Sequence, residues 1–544
     1  MARRRSRRPD QGPNRRSPAA LSSTSSSRRQ PLDRLAVGAM AVLTVVLGIL
    51  VFSGDHATAR VRDFSWQNRQ VGVEDRAFLI TFSRPMDPVS VEENLALDPP
   101  FPGKVSWAGR RMAYTLTEPL PYGQSFTLRL DRARDRFSAP DADVDRFQSF
   151  EAGFQSRKRA FVYIGTEGDE ANRLVMADLD QQERVILTPR TLSVLAFEPY
   201  TLGDRILFSA MDADAPDGLL NQQLYTVTTG IVPRPPQDLL AEPPPFWQRL
   251  LPTPTEATPG ELTLVLDNRN YQNLKFDLSA DGQTIVVQRV NRDDPADFGP
   301  WVVRAGRAPY PLDTEPGGDF LIAPDSQSLV LLQGEGTAIL DLSPDATRGP
   351  QLPLDFLPNY GQVLDIARDG SAAAMVNFNQ NDPEKRFTES LFLVTSLGDE
   401  EELLRVSGSI REAQFDNRRR FLYVLASEQV DSRRRRNGLE VEDYAEQPLL
   451  LVIDLEARAM TKLATLPQQT TQHMSLAPDG RSLLLDVAQF EDVADGSARP
   501  RRDEDLGPGL WHLPLFTTAA DQSAPTLDSP ESFPFQGIQA TWLP

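Results

Sequence analysis

The chain has 544 residues, with 45 Pro, no Cys, three His and a formal net charge of -19 from 57 basic and 76 acidic side chains. Without Cys there are no disulfides, thiolate nucleophiles, zinc-thiolate sites or iron–sulfur clusters, and the scattered His56, His473 and His512 leave little for a His-based triad or metal cluster. An acidic bulk also argues against nucleic-acid binding, which needs a basic footprint to neutralise phosphates.

The charge is unevenly spread. Residues 1–34 hold ten Arg against Asp10 and Asp33, a balance of +8, leaving 47 of the 57 basic and 74 of the 76 acidic groups for the rest, a balance of -27. This Arg-, Ser- and Pro-rich tail has too few apolar residues for a core and is expected to be disordered. Its Arg side chains serve as a topology signal or bind anionic lipid headgroups. Residues 35–52 (LAVGAMAVLTVVLGILVF) carry no charge and as a helix would reach ~27 Å, close to a bilayer core of ~30 Å. They predict a transmembrane helix over residues 35–53, an uncleaved anchor. Arg28, Arg29 and Arg34 before it and Asp55 after it put the N-terminus in the cytoplasm of a bacterium and the bulk in the periplasm by the positive-inside rule. Two competing readings stand beside the anchor. Ala57-Thr58-Ala59 has the form of a signal-peptide processing site, and residues 27–32 loosely resemble a twin-arginine export signal, with Pro31 departing from that motif.

From residue 60 to 152 short alternating runs, such as Ala77 to Phe82, Arg111 to Leu116 and Ser125 to Leu130, are separated by Pro, Gly and Asp. Period-two alternation at this spacing predicts an antiparallel sandwich with no helix-period segment. The run Phe82-Ser83-Arg84-Pro85-Met86-Asp87, with the later Leu120, Tyr122-Gly123 and Phe126, resembles bacterial Ig-like domains of the surface-layer type. That resemblance implies a spacer or adhesion module.

Over residues 158–544 one phrase recurs: an apolar strand, a turn, then a second apolar strand. It reads Phe276-Asp-Leu-Ser-Ala-Asp281-Gly282, then Phe320-Leu-Ile-Ala-Pro-Asp325-Ser326, then Leu364-Asp-Ile-Ala-Arg-Asp369-Gly370, with further copies near Phe197, Phe415 and Met474. The turn Asp at 281, 325 and 369 repeats every 44 residues, the length of a propeller blade. Asp-Gly or Asp-Ser supplies the corner of a tight hairpin. These repeats resemble propeller repeats of the TolB type, related to WD-type blades. The fold class is therefore all-β: an N-terminal transmembrane helix, an Ig-like β-sandwich and a β-propeller. Second strands near Ala160, Arg205, Thr284, Ser328, Ala372, Phe421 and Leu483 give seven blades, against six expected from the TolB resemblance. Gly537 to Trp542 reads as the missing first strand of blade one, closing the ring without an exposed edge.

Loops joining second to third strands should share one face and are the longest and most polar in the chain, which makes that rim the candidate binding surface. Candidate rim residues are Asp293, Asp294, Asp297, Glu491, Asp492 and Asp495. Asp212, Asp214 and Asp217 with Gly218 look like a calcium loop, although the third Asp comes late and no bidentate Glu follows. Hairpin tips solvated by these acids are the plain alternative, and Ca2+ is the one candidate ligand ion; no other cofactor is expected. Arg433 to Arg436 reads as a site for an anionic glycan or an acidic partner or, since acids flank it in the same loop, as a disordered, self-neutralising loop, the reading preferred here. The Pro-rich stretch 231–260, with Phe246-Trp247, reads as an extended excursion that docks back on the ring or on a partner. No nucleophile elbow, phosphate-binding loop or His-Glu-x-x-His occurs. The expected function is a membrane-anchored extracytoplasmic scaffold whose propeller loops engage another cell-envelope protein. The alternatives are a cell-wall glycan-binding module and a propeller glycosidase or lyase using rim carboxylates. An enzyme requires carboxylates converging in a central pocket.

Overall fold

The computed structural model describes residues 31–53, 58–137, 147–214, 221–232, 257–315, 317–334, 336–343, 353–357, 359–436, 439–467, 472–487, 509–516 and 525–544; of 31–37, 50–53 and 431–444 it describes the backbone alone. Residues 1–59 and 60–544 are separate compact units. In the first, Pro31–Ser53 forms a helix of 23 residues over the expected span. Among the described residues, however, no helix is long and apolar enough to cross a membrane. The transmembrane helix, and with it the single-pass topology and periplasmic placement inferred from it, is accordingly withdrawn.

The second unit begins with two four-stranded sheets. One runs Val61–Phe64, Ala77–Phe82, Arg111–Leu116, Gly103–Ala108, and the other Gln70–Val71, Phe150–Ser156, Ser125–Leu130, Leu95–Asp98. Their inward positions bury Phe64, Trp66, Phe78, Phe126 and Phe154, with Trp66 edge-on to Phe78 and Phe154. Two features depart from a purely antiparallel, helix-free sandwich. Gln70–Val71 pairs in parallel with Gln155 and Ser156, and Pro88–Asn94 is a helix. Pro88 has the fixed φ and missing N–H that suit a first helical turn, but seven residues are too few to show a helical period in sequence.

Among the described residues, the rest of the unit is seven antiparallel sheets, numbered here as blades 1 to 7. Their innermost strands are Gly537–Trp542, Leu192–Pro199, Tyr271–Leu278, Phe320–Ile322, Gln362–Ile366, Ile410–Phe415 and Gln472–Leu476. Second strands follow at Ala160–Gly165, Arg205–Asp212, Thr284–Asn291, Ser328–Gln333, Ala372–Asn377, Phe421–Arg436 and Ser482–Val487. The hairpin corners between them place Gly203, Gly282, Ser326, Gly370, Arg419 and Gly480 at φ between 57 and 72°. At Gly282 the left-handed backbone and the Tyr200 ring 2.9 Å from a would-be Cβ both require glycine.

Apolar clusters join each blade to the next. Phe208 meets Ile164 between blades 1 and 2, Val287 meets Leu207 between 2 and 3, and Leu331 meets Val302 between 3 and 4. Tyr360 and Met375 meet Leu357 between 4 and 5, Leu422 meets Val376 between 5 and 6, and Leu485 meets Leu450 between 6 and 7. The circuit closes where Phe161 and Trp542 of blade 1 pack with Leu484 of blade 7. The closing strand pairs with blade 1 through Ile538 to Ile164 and Trp542 to Phe161. A bulge between Ile538 and Thr541 interrupts that register.

Candidate functional site

The inner strands of blades 3 to 7 line a central cavity of about 470 Å3, with Lys275, Asp319, Asp365, Glu412, Gln414 and His473 on its wall. The position five residues before each hairpin corner is held by Glu198, Asp277, Leu321, Asp365, Gln414 and Ser475 in blades 2 to 7, and of these Leu321, Asp365 and Gln414 line the cavity. In five of these blades the side chain accepts a backbone N–H from the inner strand of the following blade. Glu198 Oε2 accepts from Leu278 (2.9 Å), Asp277 Oδ2 from Ile322, and Asp365 Oδ2 from Phe415 (2.7 Å). Gln414 Oε1 accepts from Leu476 (2.8 Å), and Ser475 Oγ from Trp542 (3.0 Å). The donor is each time the residue after the equivalent position. Two seams therefore lack the latch: Leu321 has no acceptor to offer, and Pro199, after Glu198, has no N–H to give.

Second oxygens are also committed. Asp277 Oδ1 accepts from Leu278 N (3.0 Å) and Asp365 Oδ1 from Ile366 N (2.9 Å). At the closing seam Asp486 accepts from His473 N with one oxygen and from Gln539 N with the other. His473 spans three blades there, with Nδ1 2.9 Å from Glu412 Oε1 and Nε2 3.3 Å from Thr541 Oγ1, while Glu412 Oε2 accepts from Met474 N (2.9 Å). Asp319 is bound differently, pairing with Lys275 and accepting from Phe320 N (3.0 Å).

Burial disfavours the charged carboxylates, while the N–H donors favour them. Burial wins at Asp365, whose pKa rises to about 7, and at Asp277, which rises to about 6. Glu198 is pushed well above the ordinary range by burial and by the neighbouring Asp277, to which it is hydrogen-bonded. Burial also raises Asp486. For His473 burial opposes the charged ring, but Glu412 and Asp486 more than offset it and its pKa rises.

The sandwich rests on the hairpin corners of blades 5 to 7. Tyr122 N donates to Asp479 Oδ2 (3.0 Å), and Arg418 reaches Thr117 O and Glu118. Between them lies a cavity of about 570 Å3 walled by Arg76, Glu118, Arg368, Asp369, Arg418 and Arg419. Arg157, after the last sandwich strand, binds Glu74 of the sandwich and donates to Pro544 O (2.8 Å) beyond the closing strand. The corner face is thus covered by the chain itself at blades 5 to 7, and the loops between second and third strands point the other way.

On that open face Asp212 ends its strand, and its Oδ1 accepts from Asp214 N (3.0 Å). Asp217 lies outside the described residues, and among those described no group of three or more His, Asp or Glu is placed to hold a metal ion. Asp293, Asp294 and Asp297 share one loop of blade 3. Asn291 Oδ1 accepts from Asp293 N (3.0 Å), Asp294 Oδ1 from Ala296 N (3.1 Å), and Asp297 Oδ2 from Tyr271 Oη and Asn291 Nδ2 (2.9 Å each). Those donors hold the Asp297 carboxyl below its ordinary range. Arg292 donates to Asn221 Oδ1 (2.7 Å), tying this loop to blade 2. Glu491, Asp492 and Asp495 lie outside the described residues, as does most of the Pro-rich stretch, 233–256. Sequence reading did not single out the inner-strand latches. Their signal was present, an acid or amide five residues before four of the six corners, at Glu198, Asp277, Asp365 and Gln414.

The expected disordered loop around Arg433 is also corrected. Phe421–Arg436 and Leu439–Asp454 are paired strands in continuous register out to Arg436 and Leu439. The two residues between those strands, Asn437-Gly438, lie outside the described residues.

No family model matches this chain, and no curated protein matches it. Solved structures similar to it include TolB from Acinetobacter baumannii, at 10% identity over 68% of this chain and 79% of that one, with a TM-score of 0.34. An oligogalacturonate lyase in complex with manganese is 11% identical over 58% of this chain and 79% of that one, with a TM-score of 0.36. A 6-phosphogluconolactonase-like protein from Bacteroides fragilis is 12% identical over 71% and 98%, with a TM-score of 0.38. At these values the likeness says nothing of activity, and the propeller assignment rests on the seven sheets. None of these three is named as an Ig-like protein, so the Ig-like identity of residues 60–152 remains a resemblance of sequence.

Proposed function

We propose that this protein is a binding scaffold: a closed ring, braced on one face by the sandwich, that offers the opposite face to a partner protein. The observation that carries this reading is the commitment of three carboxylates at the seams between blades. Asp277, Asp365 and Asp486 each have both oxygens occupied by backbone N–H groups. An acid/base pair needs a free oxygen aimed at substrate, so these groups serve to hold blades together. The long loops of the open face are then the part left for recognition.

The test is crosslinking of the intact chain in its native cells, followed by capture and identification of partners. A protein recovered at stoichiometric level, with crosslinks on loops between second and third strands, supports the reading. Capture of no protein, together with turnover of an acidic polysaccharide that Asp365→Asn abolishes without unfolding the chain, would replace it with an enzymatic one.

A further inference from the structure

The cavity of about 570 Å3 between the sandwich and the hairpin corners of blades 5 and 6 has a charge pattern that bracing alone does not require. Arg76 lines it just before the sandwich strand Ala77–Phe82, and Arg368, Arg418 and Arg419 line it from the two corners. Four carboxylates share the wall, and each is engaged by the protein. Asp75 pairs with Arg69 (3.2 Å) and accepts from Gly72 N (3.1 Å), while Asp416 Oδ1 accepts from Arg420 N (2.6 Å) and Phe421 N (2.8 Å). Asp369 Oδ1 accepts from both N (3.0 Å) and Oγ of Ser371, and Arg419 donates to the same hydroxyl (2.8 Å). Glu118 lies 4.0 Å from Arg418 and from Arg481.

The remaining guanidinium groups are less committed. Arg368 donates to Asn417 Oδ1 at a long 3.5 Å, and Arg76 has no ion pair or side-chain hydrogen bond among the described residues. With Arg69 and Arg481 included beside their partners, six Arg stand against four carboxylates, a local balance of +2. The chain after residue 34 as a whole runs the other way, with 74 acidic and 47 basic groups. A surplus of two suits a dianion, and a phosphate monoester carries about -1.5 to -2 near neutral pH. Its oxygens point in several directions from one centre, so donors from opposite walls can meet it, and the planar fork of Arg matches it well. The volume is that of a small-molecule site rather than of a bare ion, and Val73, Leu116 and Pro119 of the same wall offer an apolar surface to an organic remainder.

We propose that this cavity binds a small phosphate compound in its dianionic form, gripped by Arg76 of the sandwich and Arg368 of blade 5, so that the ligand ties the two together. The site is separate from the open face, and neither reading depends on the other. The test is calorimetric titration of the full chain at constant ionic strength with glycerol 2-phosphate and inorganic phosphate, and with succinate as a dicarboxylate control. Glycerol 2-phosphate should fill one site per chain at pH 7.5 and raise the melting temperature. Its affinity should fall about tenfold by pH 5, where the phosphate has taken up its second proton, of pKa ~6. Arg76→Ala and Arg368→Ala should each weaken it about tenfold or more, while the free chain melts as before because neither side chain carries an ion pair. Glu118→Gln removes an opposing charge and should tighten binding about twofold or more.

Tighter binding of the ester than of inorganic phosphate assigns the remaining volume to an organic group, and the reverse assigns the site to the free ion. Succinate binding as well as either phosphate, no binding of phosphate at millimolar concentration, or an affinity untouched by both Arg substitutions would each overturn the proposal.

Discussion

Replacing Asp365 by Asn tests the inner-strand latches most directly. In the folded chain its carboxyl titrates at about 7 rather than at an ordinary 3.8, because it is buried beside the channel. A carboxyl raised in this way adds stability that is complete below the unfolded pKa and is lost as pH rises through the folded one. Between pH 5 and pH 8 the loss is at most roughly 3 kcal/mol, at ~1.4 kcal/mol for each tenfold change in proton affinity and less where channel water screens the charge. Asn does not titrate, so that slope should vanish. Its carbonyl can replace only one of the two acceptor oxygens, now serving Phe415 N at 2.7 Å and Ile366 N at 2.9 Å. Leaving one N–H unpaired costs about 1–3 kcal/mol. Asp365→Asn should therefore be clearly less stable than wild type at pH 5 and close to it at pH 8. Urea unfolding of both proteins across this range, followed by tryptophan fluorescence, reads the difference. Parallel pH profiles for the two would refute the argument.

Other consequences are simpler to measure. Wild-type thermal stability should fall from pH 5 to pH 8, since Asp277, Asp365 and the raised His473 all lose favourable protons in that direction; a melting temperature that climbs with pH would contradict it. Deleting 537–544 removes the inner strand of blade 1 with buried Trp542 and Leu543, and should cost several kcal/mol, seen as a large drop in melting temperature. Gly537→Ala should weaken the same closure more mildly, because its Cβ would come within 2.3 Å of the Tyr163 ring and 3.0 Å of Ile164 O. Arg157→Ala strands the largely buried Glu74 and should cost about 3 kcal/mol, much of it recovered when Glu74→Gln is added, as a double-mutant cycle in urea would show.

The sequence by itself determined the local pairing. A hairpin corner such as Asp281-Gly282 or Asp369-Gly370 sits between strands a few residues apart, so turn chemistry and period-two burial suffice to mark the first two strands of a blade. It also pointed to Gly537 to Trp542 as the partner of the first blade, since that segment repeats the form of an inner strand without a hairpin of its own. It misjudged three local features, the first being the membrane span read from residues 35–53. The helix Pro88–Asn94 is too short to show its period, and the strand pairing beyond Ala426 was hidden by the local charge density. What only the tertiary structure decided is what the polar residues do. Glu198, Asp277 and Asp365 look in sequence like scattered acids, and become latches because each meets an N–H some 45 to 80 residues away on the next blade. Asp479 reads as a turn residue, yet its second role is to hold Tyr122, 357 residues distant, and so fix the sandwich over the hairpin corners. Hydrogen bonding of this kind depends on where two backbones come to lie, and no local pattern records that distance.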